Sequence, residues 1–165
     1  MIVGIGDASF KSDDKAVGGV LLFLTDDKMT RAAPIYWKSK TITRVCYSSK
    51  DAETLNVFKM MDDAIFAARQ VETLYYGDYR KRMKVRLFTD SEPILESIAS
   101  SRQVKRKMLR PTIVDIKERL VDRDFFILPP PYIRKYRTQC RITYNNLIIS
   151  LLTLLYRKYF RALLF

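Results

Sequence analysis

Three acidic side chains stand in three settings where a carboxylate can do chemistry. Asp7 closes the short apolar segment Ile2-Val3-Gly4-Ile5-Gly6, Glu53 opens a long helical stretch, and Asp90 ends a second apolar segment, Val85-Arg86-Leu87-Phe88-Thr89. A carboxylate at the end of a buried strand is expensive to desolvate unless it pairs or binds a cation. Three of them converging on one edge of a sheet suit a divalent metal site for phosphodiester chemistry, because carboxylates are hard oxygen donors and can bridge ions. The chain has no histidine. That removes Ser-His and Cys-His triads, the usual His-containing zinc sites and the commonest general base. Any metal must then be held by oxygen, which favours Mg²⁺ or Mn²⁺.

The elements that must position these acids follow from the pattern of apolar residues and breakers. Ile2–Phe10 reads as a strand, residues 11–15 as a polar turn, Val17–Thr25 as a second strand, and Ile35-Tyr36-Trp37, after Pro34, as a third. From Lys50 to Tyr76 there is no Gly or Pro. Glu53, Val57, Met61, Ala64, Ala68, Val71 and Tyr75 recur there at helical spacing, so Glu53 stands in line with the apolar stripe rather than on the opposite, solvated face. Ser48 with Asp51 is a capping pair and Gly77 a stop. The alternative for Glu53 is a capping or ion-paired glutamate. A basic linker over 79–84 leads to the strand that ends at Asp90. Helices are expected over Ser91–Ser100, with Ile94, Leu95 and Ile98 inward, and over Thr112–Val121, with Ile113, Ile116 and Leu120 inward. Phe125–Leu128 is a last short strand, closed by Pro129 to Pro131. This order gives a mixed α/β layer fold: a three-strand antiparallel meander extended by parallel strands through helical crossovers. Side-by-side first and fourth strands would bring Asp7 and Asp90 together.

At 165 residues, 48% of them hydrophobic, the chain fits one globular domain with a sizeable core. Cys46 and Cys140 form no ligand spacing, so neither a zinc site nor a disulfide framework is expected, and a reducing intracellular compartment fits best. The net charge of +12 is uneven: residues 1–78 hold 10 Lys/Arg against 11 Asp/Glu, and residues 79–165 hold 20 against 7. That asymmetry points to a polyanionic partner, the alternative being a solvated basic surface. The first ten residues lack a basic leader and already hold Asp7, so they do not read as a signal peptide. Leu147–Tyr156 is an apolar run about half the roughly 20 residues of a membrane span. It reads first as a core-facing or partner-facing helix and second as an interfacial anchor making weak membrane contact.

Four short pieces in order carry a family resemblance: Gly6-Asp7-Ala8-Ser9-Phe10, Tyr36-Trp37-Lys38-Ser39-Lys40, Ser48-Ser49-Lys50-Asp51-Ala52-Glu53 and Phe88-Thr89-Asp90-Ser91. The chain resembles the ribonuclease H domain at the C-terminal end of copia-type retrotransposon polyproteins over about residues 2–125. The resemblance implies an α/β, ribonuclease H-like fold with a mixed five-stranded sheet flanked by helices. It implies cleavage of the RNA strand of an RNA–DNA hybrid with two Mg²⁺ ions, next to the reverse transcriptase part of a polyprotein. Asp7, Glu53 and Asp90 would be the metal-binding and catalytic carboxylates, with Asp7 bridging both ions.

Residues 110–116 look like a drifted form of the family's Lys-His-Ile-Asp stretch without its histidine, which puts any role for Asp115 in doubt. Binding a hybrid needs cations and hydroxyls near the acidic edge. Lys38, Ser39, Lys40, Ser48 and Ser49 are candidates, as are Arg102, Lys105 and Arg106 from the basic cluster over 102–110. The alternatives are a charged edge strand for Lys38 and Lys40 and a solvated connector for the cluster. Trp37 is expected to pack in the core or at an edge rather than stack on bases. Tyr75, Tyr76 and Tyr79 are expected to cover the end of the long helix.

The family's fourth carboxylate is missing, since nothing acidic follows Asp124. Residues 1–128 therefore read as the ribonuclease H-like domain and 129–165 as an atypical basic and apolar tail, helical over 142–164, as a shifted reading frame or splice read-through would leave. With three ligands of four, weak or absent activity is expected unless a partner chain supplies the fourth. A catalytically dead nucleic-acid-binding module and a decayed fragment remain as alternatives. An integrase-type site using Glu118 fits the placement of Glu53 less well.

Overall fold

The computed structural model describes residues 1–10, 16–77, 83–100, 106–122 and 125–128. Strands β1 (Ile2–Phe10), β2 (Ala16–Thr25) and β3 (Ala32–Ile42) precede the 28-residue helix α1 (Ser49–Tyr76). Strand β4 (Val85–Phe88), helix α2 (Glu92–Ala99), helix α3 (Arg110–Asp122) and strand β5 (Phe125–Leu128) follow, with one 3₁₀ turn at Lys107–Leu109. The five strands form one sheet in the order β3-β2-β1-β4-β5. β1 and β2, and β2 and β3, are antiparallel; β1 and β4, and β4 and β5, are parallel. The expected meander with parallel additions, and the neighbouring first and fourth strands, are both present.

β3 is longer than its apolar centre suggests. It runs from Ala32 through the charged stretch to Ile42 because it pairs along the whole of β2, and Pro34 is accommodated at a register irregularity beside Leu22 and Phe23. As an outermost strand it has one edge without a ladder partner among the described residues, where a missing N–H is tolerated.

The main core lies between α1 and the sheet. Ile2, Val20, Leu22, Val85 and Leu87 from the strands meet Val57, Met60, Met61, Ala64 and Ala68 from α1, with Ile94 of α2 and Ile113 and Ile116 of α3 completing the cluster. Burying each large apolar side chain contributes roughly 1.5–3 kcal/mol. Ile98 and Leu120 pack at its margin as expected. A smaller apolar group, Met1, Val3, Leu21 and Phe23, occupies the other face of the sheet. α1 approaches β1 closely because Gly6 carries no side chain: a Cβ there would lie 2.9 Å from Met60 Sδ.

Ser48 caps α1, its Oγ accepting from Asp51 N at 3.3 Å. Gly77 ends α1 in the left-handed region at φ 60°. The stripe drifts before that end. Glu72 is buried instead, its Oε1 accepting from Met83 N at 2.6 Å, while Tyr75 and Tyr76 are exposed. Tyr75 stands seven residues beyond buried Ala68, only about 20° away around the helix, so its exposure shows that the packing of α1 against the core ends before the last turn. Trp37 also departs from expectation. It is 68% exposed on the outermost strand and so is not packed in the core. Cys46 is a buried free thiol. The turn over 11–15, the first part (79–82) of the basic linker over 79–84 with Tyr79, and Arg102, Lys105, Asp124, Cys140 and the tail 129–165 lie outside the described residues. Among the described residues, no helix is long and apolar enough to cross a membrane.

Candidate active site

The parallel pairing of β1 with β4 ends at Ile5 opposite Phe88. Asp7 and Asp90 each lie two residues beyond that pair, level with one another at one rim of the sheet. β1 continues to Phe10, whereas β4 stops at Phe88, which leaves a notch beside Asp7. Alternation along β1 puts Asp7 on the face of Val3 and Ile5, away from α1. Glu53 comes from α1 on the opposite face.

Three hydrogen bonds tie this part of α1 to the rim, one of them to Glu53 itself. Ser91 Oγ donates to Glu53 Oε2, tying α1 to the residue after Asp90. Asn56, one turn further along α1, donates from Nδ2 to the Asp7 carbonyl at 2.8 Å and to the Gly19 carbonyl at 3.0 Å.

The electrostatics are those of crowded like charges. Burial pushes the Glu53 carboxyl above the ordinary carboxylate range, the Ser91 hydrogen bond opposes this, and the charges of Asp90 and Asp7 push it up further. Asp90 is solvent-exposed on one side. Partial desolvation by the surrounding rim and the Asp7 carboxylate nevertheless raise its pKa as well. Among the described residues, no ion pair neutralises any of the three. Hard oxygen donors with unrelieved repulsion fit a divalent cation in chemistry. They are not gathered into a finished ligand set: among the described residues, no group of three or more His, Cys, Asp or Glu stands ready to hold a metal ion.

The remaining candidates divide. Ser39 pairs with Gly19, which pairs with Asp7, so Ser39 shares a row and a face with Asp7. Lys38 and Lys40 pair with Val20 and Gly18 and stand on the α1 face instead. Ser48 is occupied as the α1 cap, and Ser49 is exposed at the first helical position. Arg106 pairs with Asp51 and donates to Ser48 Oγ at 3.1 Å. In this structure it closes the N-terminus of α1, a local role the basic cluster did not signal. Arg102 and Lys105 lie outside the described residues. Sequence reasoning missed Asn56; the available signal was an amide within the buried part of the α1 stripe.

No protein-family model matches the chain, and no curated protein matches it in sequence. Solved structures do match its fold. Ribonuclease H1 from Halobacterium salinarum superposes with a TM-score of 0.59 at 16% identity, covering 83% of this chain and 90% of its own. LC11 ribonuclease H1 in complex with an RNA/DNA hybrid gives 0.57 at 19%, covering 84% and 91%. The N-terminal ribonuclease H domain of rv2228c from Mycobacterium tuberculosis gives 0.55 at 14%, covering 82% and 86%. The fold is ribonuclease H-like. At these identities the likeness establishes architecture and not activity.

Proposed function

We propose that this chain is the ribonuclease H domain of a retrotransposon polyprotein of copia type, acting on RNA–DNA hybrids beside a reverse transcriptase, inside the cell. The observation that carries this reading is the placement of Asp7, Glu53 and Asp90 at one rim of a ribonuclease H-like sheet, with two of the carboxyls raised in pKa by burial and mutual charge. One similar structure, LC11 ribonuclease H1, was determined with an RNA/DNA hybrid bound, which supports the substrate class.

Asp7, Glu53 and Asp90 would hold Mg²⁺ or Mn²⁺. When bound, a pair of such ions supplies an activated water and stabilises the leaving oxygen of a phosphodiester. The chain's own residues do the rest. Ser91 fixes the Glu53 carboxylate and keeps one oxygen engaged. Ser39, in the row of Asp7, offers a hydroxyl to a 2′-OH or a phosphate. Lys40, exposed on the adjoining edge strand, supplies screening charge to the strands of the hybrid.

A second reading, a binding module without catalysis, is favoured by one observation: the described carboxylates do not form a ready ligand set of three. Incubation of the purified chain with a labelled hybrid in Mg²⁺ separates the two. Mg²⁺-dependent cleavage that disappears in Asp7→Asn supports the nuclease. Salt-sensitive binding without cleavage supports the module. Absence of both would discard the two readings together.

A further inference from the structure

Asn56 is 4% exposed and lies one helical turn beyond Glu53. A buried amide costs stability unless bonded, and an alanine would fill a helix–sheet contact without that cost. Here one nitrogen serves two main-chain carbonyls, those of Asp7 and Gly19, which are paired residues on neighbouring strands. The other end of the amide is seated on Gly18: a Cβ there would lie 2.3 Å from Asn56 Oδ1 and 2.9 Å from its Cγ. Only glycine at 18 leaves the amide in this orientation.

We propose that Asn56 is a positioning residue that sets the separation of Asp7 and Glu53 for a divalent cation, with Gly18 as its seat. The assignment rests on the metal reading of the rim. Asn56 reaches neither carboxylate. It pins the first turns of α1 to the main chain of β1 at Asp7, so that closing on an ion needs side-chain rotation alone. Without the pin, the helix turn bearing Glu53 slides relative to β1, and ion binding must also supply the ordering.

The test uses the full chain and Mn²⁺ as probe, with free Mn²⁺ measured by electron paramagnetic resonance and folding by urea titration. Wild type binds Mn²⁺ and Asp7→Asn does not. Asn56→Ala and Gly18→Ala each weaken Mn²⁺ binding by about tenfold or more, the scale seen when groups that orient metal ligands are removed. Asn56→Ala/Gly18→Ala binds no more weakly than Asn56→Ala, because the added methyl group no longer meets an amide. The urea midpoint drops on Gly18→Ala in the wild-type background and not in the Asn56→Ala background. A folded Asn56→Ala or Gly18→Ala that binds Mn²⁺ like wild type overturns the assignment, and Gly18→Ala decides alone if Asn56→Ala fails to fold. Wild type that binds no Mn²⁺, or Asp7→Asn that binds it equally, overturns the metal site itself and the assignment with it.

Discussion

Asp90 is held at the rim in a charged form that the folded chain disfavours. Its pKa is raised, so the folded state takes up a proton more readily than the unfolded state. Stability then falls as pH rises from the ordinary carboxylate range, about 4, through the raised folded value, and stays low above it. Asp90→Asn removes the penalty. The variant is expected to melt on the order of 2 °C higher than wild type near pH 7 and equally near pH 3, as read by thermal scans at the two pH values. Glu53 shifts in the same direction, but its hydrogen bond from Ser91 would be weakened by an amide, so Glu53→Gln gains less. On the proposed metal reading, this destabilisation is the cost of holding carboxylates for a cation.

Among the elements, α3 is fastened to α1 through one guanidinium. Arg119 pairs with Asp62 of α1 and with Asp115 on its own helix at 2.9 Å, and it lies 5.0 Å from the centre of the Phe58 ring. Arg119→Ala loses a partly shielded ion pair and a cation–ring contact together. It should lower unfolding free energy by about 1 kcal/mol in urea titration, less in high salt. Asp115, left without a role by the drifted family stretch, thus has a structural one.

The strands, the long helix and its caps were legible because their signals are local: alternating apolar residues, a run free of breakers, Ser48 in front and Gly77 behind. The level positions of Asp7 and Asp90 were legible because each closes an apolar strand of a pair that the strand order makes parallel neighbours. Asn56 was not, since its partners are main-chain carbonyls on strands far away in sequence. Trp37 was misjudged because indole size argues for burial, and nothing local shows that β3 is outermost. The extension of β3 came from pairing with β2, which no propensity records.

For the molecule as a whole, the described sheet ends on one side at β3. A long outermost strand invites pairing with another chain unless charge or proline interrupts it. Pro34, Lys38 and Lys40 do so here, and Lys40 is exposed. Lys38→Val/Lys40→Val is expected to associate at concentrations where wild type is monodisperse, which sedimentation velocity would detect. A variant that remains as monodisperse as wild type would assign these lysines elsewhere. If Lys40 also meets a hybrid's phosphates, Lys40→Ala weakens hybrid binding and reduces the slope of log affinity against log salt by about 1.

The stopping point of β4 at Phe88, three residues short of Ser91, also bears on how the domain comes into being. Asp7, Glu53 and Asp90 are contributed by segments that touch only after some eighty residues have been threaded into a parallel pair, a slow, non-local event. No shorter piece of the nascent polypeptide, not even the meander with its complete helix, owns the notch. The complete rim therefore arrives in a single step with the closing of the sheet.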